Sequence, residues 1–155
     1  MHLSLQGATP QTLDSLGSSE AEIRSVCTRV VDKEAAKDLV VLLYLRAGIG
    51  WRAVCHADYV TAQDVHNGTV AGLPAQPFRF VRIAMGTENP YPFKGHDAYG
   101  WRWAFGTFED HLAQVVAHES YHLTRPAGPE EGANAFALQR VQDLDFDVEG
   151  VPDGR

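Results

Sequence analysis

Hydrophobic positions change period along the chain, and each change marks a different kind of element. From Ser19 onward, Ile23, Val26, Cys27 and Val30 recur at the spacing of one buried helical face, and Ser19 with Glu22 reads as a capping box. Asp32 to Arg46, closed by Gly48, reads as a second helix whose centre, LVVLLYL at 39–45, is apolar nearly all round. A strand over 39–45 is the competing reading, because a short apolar run fits both. Between Ile49 and Gly106, glycine, proline and asparagine divide the chain into short segments. PFRFVRIAM and YGWRWAF read as strands, the latter with Trp101, Trp103 and Phe105 alternating with Arg102 and Ala104, while GTENPYPFKGHD reads as a loop. Thr107 and Asp110 form a capping box that opens a helix to about Leu123. Arg125-Pro126 and Gly128-Pro129 interrupt the chain, and Pro129 suits the first turn of a last helix with Ala133, Phe136, Ala137, Val141 and Leu144 on one face.

This order of elements predicts an α+β fold, with helices packed on a short twisted mixed sheet. A flexible arm is expected over 1–17, one folded domain over 18–145 and an acidic flexible tail over 146–155. At 155 residues the chain is long enough for one real core. The formal net charge of −7 argues against general affinity for nucleic acid or an anionic membrane, both of which would repel it. The N-terminus lacks a basic segment followed by an apolar run, and LVVLLYL is far shorter than the roughly 20 residues of a membrane span. A cytoplasmic location is the resulting expectation. Cys27 and Cys55 form no CxxC pair and read as buried, reduced thiols.

The chemistry lies in VVAHESYHLTRPAGPEEGANAFA, residues 115–137. Residues four apart on a helix share a face, so His118 and His122 direct two imidazoles at one point, as a tetrahedral zinc ion requires. Glu119 is rotated by about 100° from His118, where it reaches a water on the metal rather than the metal. The metal lowers the pKa of that water toward about 7 and the carboxylate takes its proton. A third ligand is needed, and Glu130 and Glu131 are the candidates. Glu130 is favoured because it shares a stripe with Ala133, Ala137 and Val141, whose small side chains let two helices approach; Glu131 points about 100° away.

HESYH followed by EEGANAFA resembles the gluzincin group of zincin metallopeptidases. There HExxH supplies two ligands and a glutamate on a following helix supplies the third. Glu130, Ala133, Asn134, Phe136 and Ala137 follow a spacing similar to that of the small bacterial ImmA/IrrE-like peptidases. The resemblance covers about residues 107–141. It implies a zincin-like domain with Zn²⁺ as cofactor, held by His118, His122 and Glu130. It also implies a peptide or protein substrate, with Glu119 as general base and later acid. In zincins the strand before the HExxH helix is commonly an exposed edge that pairs with extended substrate, which would place a peptide near 99–106; core packing of Trp101, Trp103 and Phe105 is the favoured reading. The alternative is a zincin fold kept as a weakly active or inactive metal-binding regulatory module.

An amide-hydrolysing site also needs a donor for the oxyanion. No Tyr or His follows His122, so Tyr99, His96 and Arg125 are the candidates for the oxyanion or the substrate. Asn134 and Glu131 are candidates to support the ligands, with Asn134 donating to a ligand carboxylate. His111 lies about 10 Å along the helix from His118, too far to share an ion. His2, His56 and His66 fall in no ligand spacing.

Overall fold

The computed structural model describes residues 1–153 and has the expected α+β architecture, with five helices and two sheets. The first sheet contains β1 (His2–Gln6), β2 (Leu39–Arg46), β3 (Trp51–Val60) and β4 (Phe78–Gly86), in the order β1-β2-β4-β3. β1, β2 and β4 run parallel, and β3 lies antiparallel to β4 at one edge. The second sheet is antiparallel, with β6 (Trp101–Phe105) between β5 (Phe93–His96) and β7 (Val148–Pro152). The helices are α1 (Pro10–Leu16), α2 (Glu20–Val30), the single turn α3 (Lys33–Ala36), α4 (Phe108–Thr124) and α5 (Glu130–Asp143).

Several expectations about the segments are corrected. The arm expected over 1–17 is ordered: β1 pairs along its whole length with β2, and α1 follows with Thr9 as its cap and Gly17 closing it at φ 67°. Within the tail expected over 146–155, Val148–Pro152 instead form β7, which zips onto β6 from Trp101↔Pro152 to Phe105↔Val148, and 154–155 lie outside the described residues. The helix expected over 32–46 stops after one turn. Asp38 adopts the left-handed conformation (φ 54°) and turns the chain into β2.

β2 is apolar all round because both its faces are covered. Val41, Leu43 and Leu45 face α2 and α4, together with Ile23, Val26, Val116 and Leu112. Val40 and Leu42 face a second cluster with Phe78, Phe80 and Val65, under the connection between β3 and β4. Such two-sided burial is the ordinary state of a parallel strand. The remaining helices begin where capping chemistry puts them. Ser19 accepts from the Glu22 amide at 3.2 Å, and Thr107 and Asp110 cap α4 reciprocally.

α4 runs through the centre of the molecule, with every residue from Asp110 to Ser120 buried. Phe108, at its start, is 1 % exposed and lies in the main core. Phe108→Ala is expected to cost about 3–5 kcal/mol of stability, read as a lower urea midpoint at an unchanged slope.

Candidate metal centre

α4 ends at Thr124, and the chain reverses over 125–129 into α5. Two glycines let the helices meet there. A Cβ on Gly128 or Gly132 would lie 2.7 Å from the Tyr121 side chain. Further along α5, Ala133, Ala137 and Val141 are fully buried, so the helices stay in close contact. This contact brings Glu130 over the last turns of α4. His118 Nε2 lies 2.7 Å and His122 Nε2 lies 3.3 Å from the same Glu130 oxygen, Oε2. One ligand atom from each residue falls within 4.8 Å of the others, a group able to hold a metal ion.

The donor set fits a cation such as zinc for a reason independent of those distances. Asp97 Oδ2 can only accept, so the Asn134 Nδ2 group 2.8 Å away donates to it. That fixes the Asn134 amide with Oδ1 toward His118 Nδ1, at 2.8 Å. Oδ1 accepts, so the proton of the neutral His118 ring sits on Nδ1 and the Nε2 lone pair faces Glu130. A carbonyl or carboxylate behind a histidine is the usual support of a metal ligand.

Asp97 is held as a carboxylate by its surroundings. Burial pushes its carboxyl up, but hydrogen bonds from the Trp103 indole, the Trp101 and Tyr99 amides and Asn134 outweigh it and hold the pKa below its ordinary value. Asp97→Asn removes the constraint on the Asn134 amide. It is expected to weaken zinc affinity about 10–100-fold, measured by competition with a chromogenic chelator.

Glu119 lies beside the triad in a cleft between α4 and β3. On one side a cavity of about 460 Å³ is lined by Trp51, Ala53, Tyr99, Gln114, Val115 and Glu119, among others. On the other, about 340 Å³ is lined by Ala53, Cys55, Tyr99, Glu119, His122 and Glu130, among others. Glu119 and Tyr99 border both. Burial, and then the charge of Glu130, pushes the Glu119 pKa up to about 7. Such a carboxyl is poised to exchange a proton near neutral pH.

The structure sorts the remaining candidates. Tyr99 is 51 % exposed and stacks on the His118 ring, 5.9 Å between centroids at 10°. Burial raises its pKa, and the carboxylates Glu130, Glu119 and Asp97 add to the shift, so its hydroxyl stays a donor. His96 pairs with Asp153 at 2.8 Å and lines neither cavity of the cleft. Arg125 also lies outside them, its guanidinium stacked on Tyr121 and Phe136. Glu131 is exposed and takes no part in the triad. Asn134 bonds to His118 of the triad, accepting from its ring rather than donating to a carboxylate of the triad.

Of the two readings of 99–106, core packing holds, with Trp101, Trp103 and Phe105 buried in the main core, and the free edge does not. β6 is the central strand of its sheet, paired on both sides, and β3 is the edge that borders the cleft. Cys55 sits on that edge, with burial and the Glu119 charge pushing its thiol up to about 12. Among the residues of the site that the sequence did not single out are Asp97 and, on β3, Ala53 and Cys55. Asp97 had a signal: Asp-Ala-Tyr-Gly is an Asx-turn composition, and Asp97 Oδ1 does bind the Tyr99 amide at 2.8 Å.

No family model, no curated protein and no solved structure matches the chain. The site and the fold therefore define a class only coarsely, as an α+β domain with a partly buried His-His-Glu group of metal-binding geometry. No helix among the described residues is long and apolar enough to cross a membrane.

Proposed function

We propose that the chain is a zinc-dependent peptidase of the gluzincin type. One arrangement carries the reading: three convergent ligand atoms with a buried, unligated carboxyl, Glu119, beside them in a cleft bordered by an open strand edge. His118, His122 and Glu130 would hold the cation. Zinc so bound supplies Lewis acidity and a nucleophilic water at neutral pH.

The chain's own groups account for the rest. Glu119 takes a proton from the attacking water and returns it to the leaving amine, as its raised pKa allows. Tyr99, across the cleft, donates from its hydroxyl to the oxygen that gains charge. The unpaired edge of β3 receives an extended peptide by main-chain hydrogen bonding, with Ala53 and Cys55 lining the cleft. Asn134 and Asp97 hold the His118 ring in place throughout.

The test is incubation of zinc-loaded protein with a mixed peptide library, reading new termini by mass spectrometry. Cleavage that stops with chelator and returns with added zinc supports the proposal. Stoichiometric zinc with no new termini overturns it and leaves a metal-binding regulatory module. Tyr99→Phe is expected to lower kcat by about 10²-fold with KM little changed, measured on a peptide found in that screen.

A further inference from the structure

The outer face of the first sheet carries a second concavity. In the strand register, Ala84 of β4 lies between Tyr44 of β2 and Arg52 of β3. Its short side chain leaves a depression of about 270 Å³, lined by Tyr44, Arg52, Val54, His66 and Arg82 around Ala84. Arg82 lies opposite Val54, which makes Arg52 and Arg82 diagonal neighbours on adjacent strands.

Two like charges so placed repel each other unless an anion lies between them. Arg79 donates to the carbonyls of Lys37, Ala35 and Leu123, Arg29 to Leu144, and Arg140 to Val30 and Arg29, whereas Arg24, Arg46 and Arg102 make no such bond among the described residues; what marks this place is that two arginines lie side by side. Arg52 and Arg82 have no ion pair or hydrogen bond among the described residues. No carboxylate lines this depression, although the chain carries a formal net charge of −7 and Arg52 also borders two cavities that do contain acids, one with Asp97 and Glu119 and one with Glu88. The cationic character is therefore local and against the trend of the molecule.

We propose that this depression binds the phosphate group of a small phosphomonoester between Arg52 and Arg82. Guanidinium forks match the oxygens of a phosphate in pairs, and a doubly charged group neutralises both cations where a single carboxylate neutralises one. Tyr44 and His66 meet edge to face, 5.8 Å between centroids at 87°, and give the organic part of the ligand an aromatic wall. A polymer of phosphates is disfavoured, because two arginines make a point and not a track, and the net charge repels a long polyanion.

The experiment is isothermal titration of the full chain at low ionic strength with inorganic phosphate, with phenyl phosphate and with a single-stranded oligonucleotide. Saturable one-to-one binding of phenyl phosphate is expected. Arg52→Gln and Arg82→Gln should each weaken it by about tenfold or more. Arg102→Gln, on the other sheet, and His118→Ala, in the metal triad, should leave it unchanged. Phenyl phosphate binding more tightly than phosphate identifies an organic phosphomonoester; equal affinity identifies the free ion as the ligand and overturns the role of the aromatic wall. Arg52→Gln keeps an exposed edge position, so its result stands even if Arg82→Gln fails to fold. No saturable binding, binding indifferent to Arg52→Gln, or tighter binding of the oligonucleotide overturns the proposal.

Discussion

Glu119→Gln is expected to bind one zinc ion per chain with wild-type affinity and to hydrolyse peptides about 10²–10⁴-fold more slowly. The substitution keeps the volume of a buried side chain and removes only its ability to take and return a proton. Glu119 is not part of the ligand group, so the metal should not be disturbed. His118→Ala gives the complementary result. It removes one of three ligand atoms and leaves only the Glu130 carboxylate and the His122 ring, too few to hold the ion, so metal and activity should disappear together. Elemental analysis and peptide turnover on the same preparations read both. Wild-type turnover in Glu119→Gln would show that another group handles the proton, and loss of zinc in that variant would show that Glu119 is itself a ligand. The two variants thus separate holding the metal from moving the proton, and the peptidase reading needs them to differ.

The parts of the site carried by local spacing were legible in the sequence. His118 and His122 follow from a four-residue interval, and the start of α4 follows from Thr107 and Asp110. The choice of Glu130 over Glu131 followed from the alanine stripe, since a helix presents to its neighbour the face where small residues recur. What was not legible depends on contacts distant in the chain. HLSLQ becomes a strand because β2 lies open beside it, and residues 148–152 become one because β6 does. Neither partner can be read from the segment itself. LVVLLYL was ambiguous for a physical reason, since a strand covered on both faces loses the alternation that would distinguish it from a buried helix. β3 was missed as the wall of the cleft for the opposite reason. Its residues alternate between half-buried and exposed, a weak signal, and a bulge between His56 and Val60 disrupts its pairing. The placement of the open edge on β3 rather than near 99–106 is a matter of topology, which a single strand's composition does not encode.

His111 supports the second large prediction, because it is an ionisable group in a place built for neutral rings. It is fully buried, packed against Phe105, Phe93, Trp51 and Tyr91, and its Nδ1 lies 2.8 Å from the Tyr91 hydroxyl. Its Nε2 has no hydrogen-bond partner among the described residues. Burial lowers its pKa from 6.5 to about 3. The folded state therefore refuses a proton that the unfolded chain accepts below about pH 6.5. Since the unfolded state binds more protons over this range, stability falls as the pH drops from about 6.5 and the loss is complete near pH 3. At pH 5 the difference is about 2 kcal/mol relative to pH 7. His111→Phe removes the titrating group while keeping an aromatic ring, at the fixed cost of leaving the Tyr91 hydroxyl without its partner. That cost does not vary over this pH range, so the slope of stability against pH is the informative quantity. Urea unfolding of both proteins from pH 7 to pH 5 should show the wild type losing about 2 kcal/mol more than the variant. Parallel pH profiles would place the acid sensitivity elsewhere in the molecule and show that His111 accepts its proton without unfolding the core.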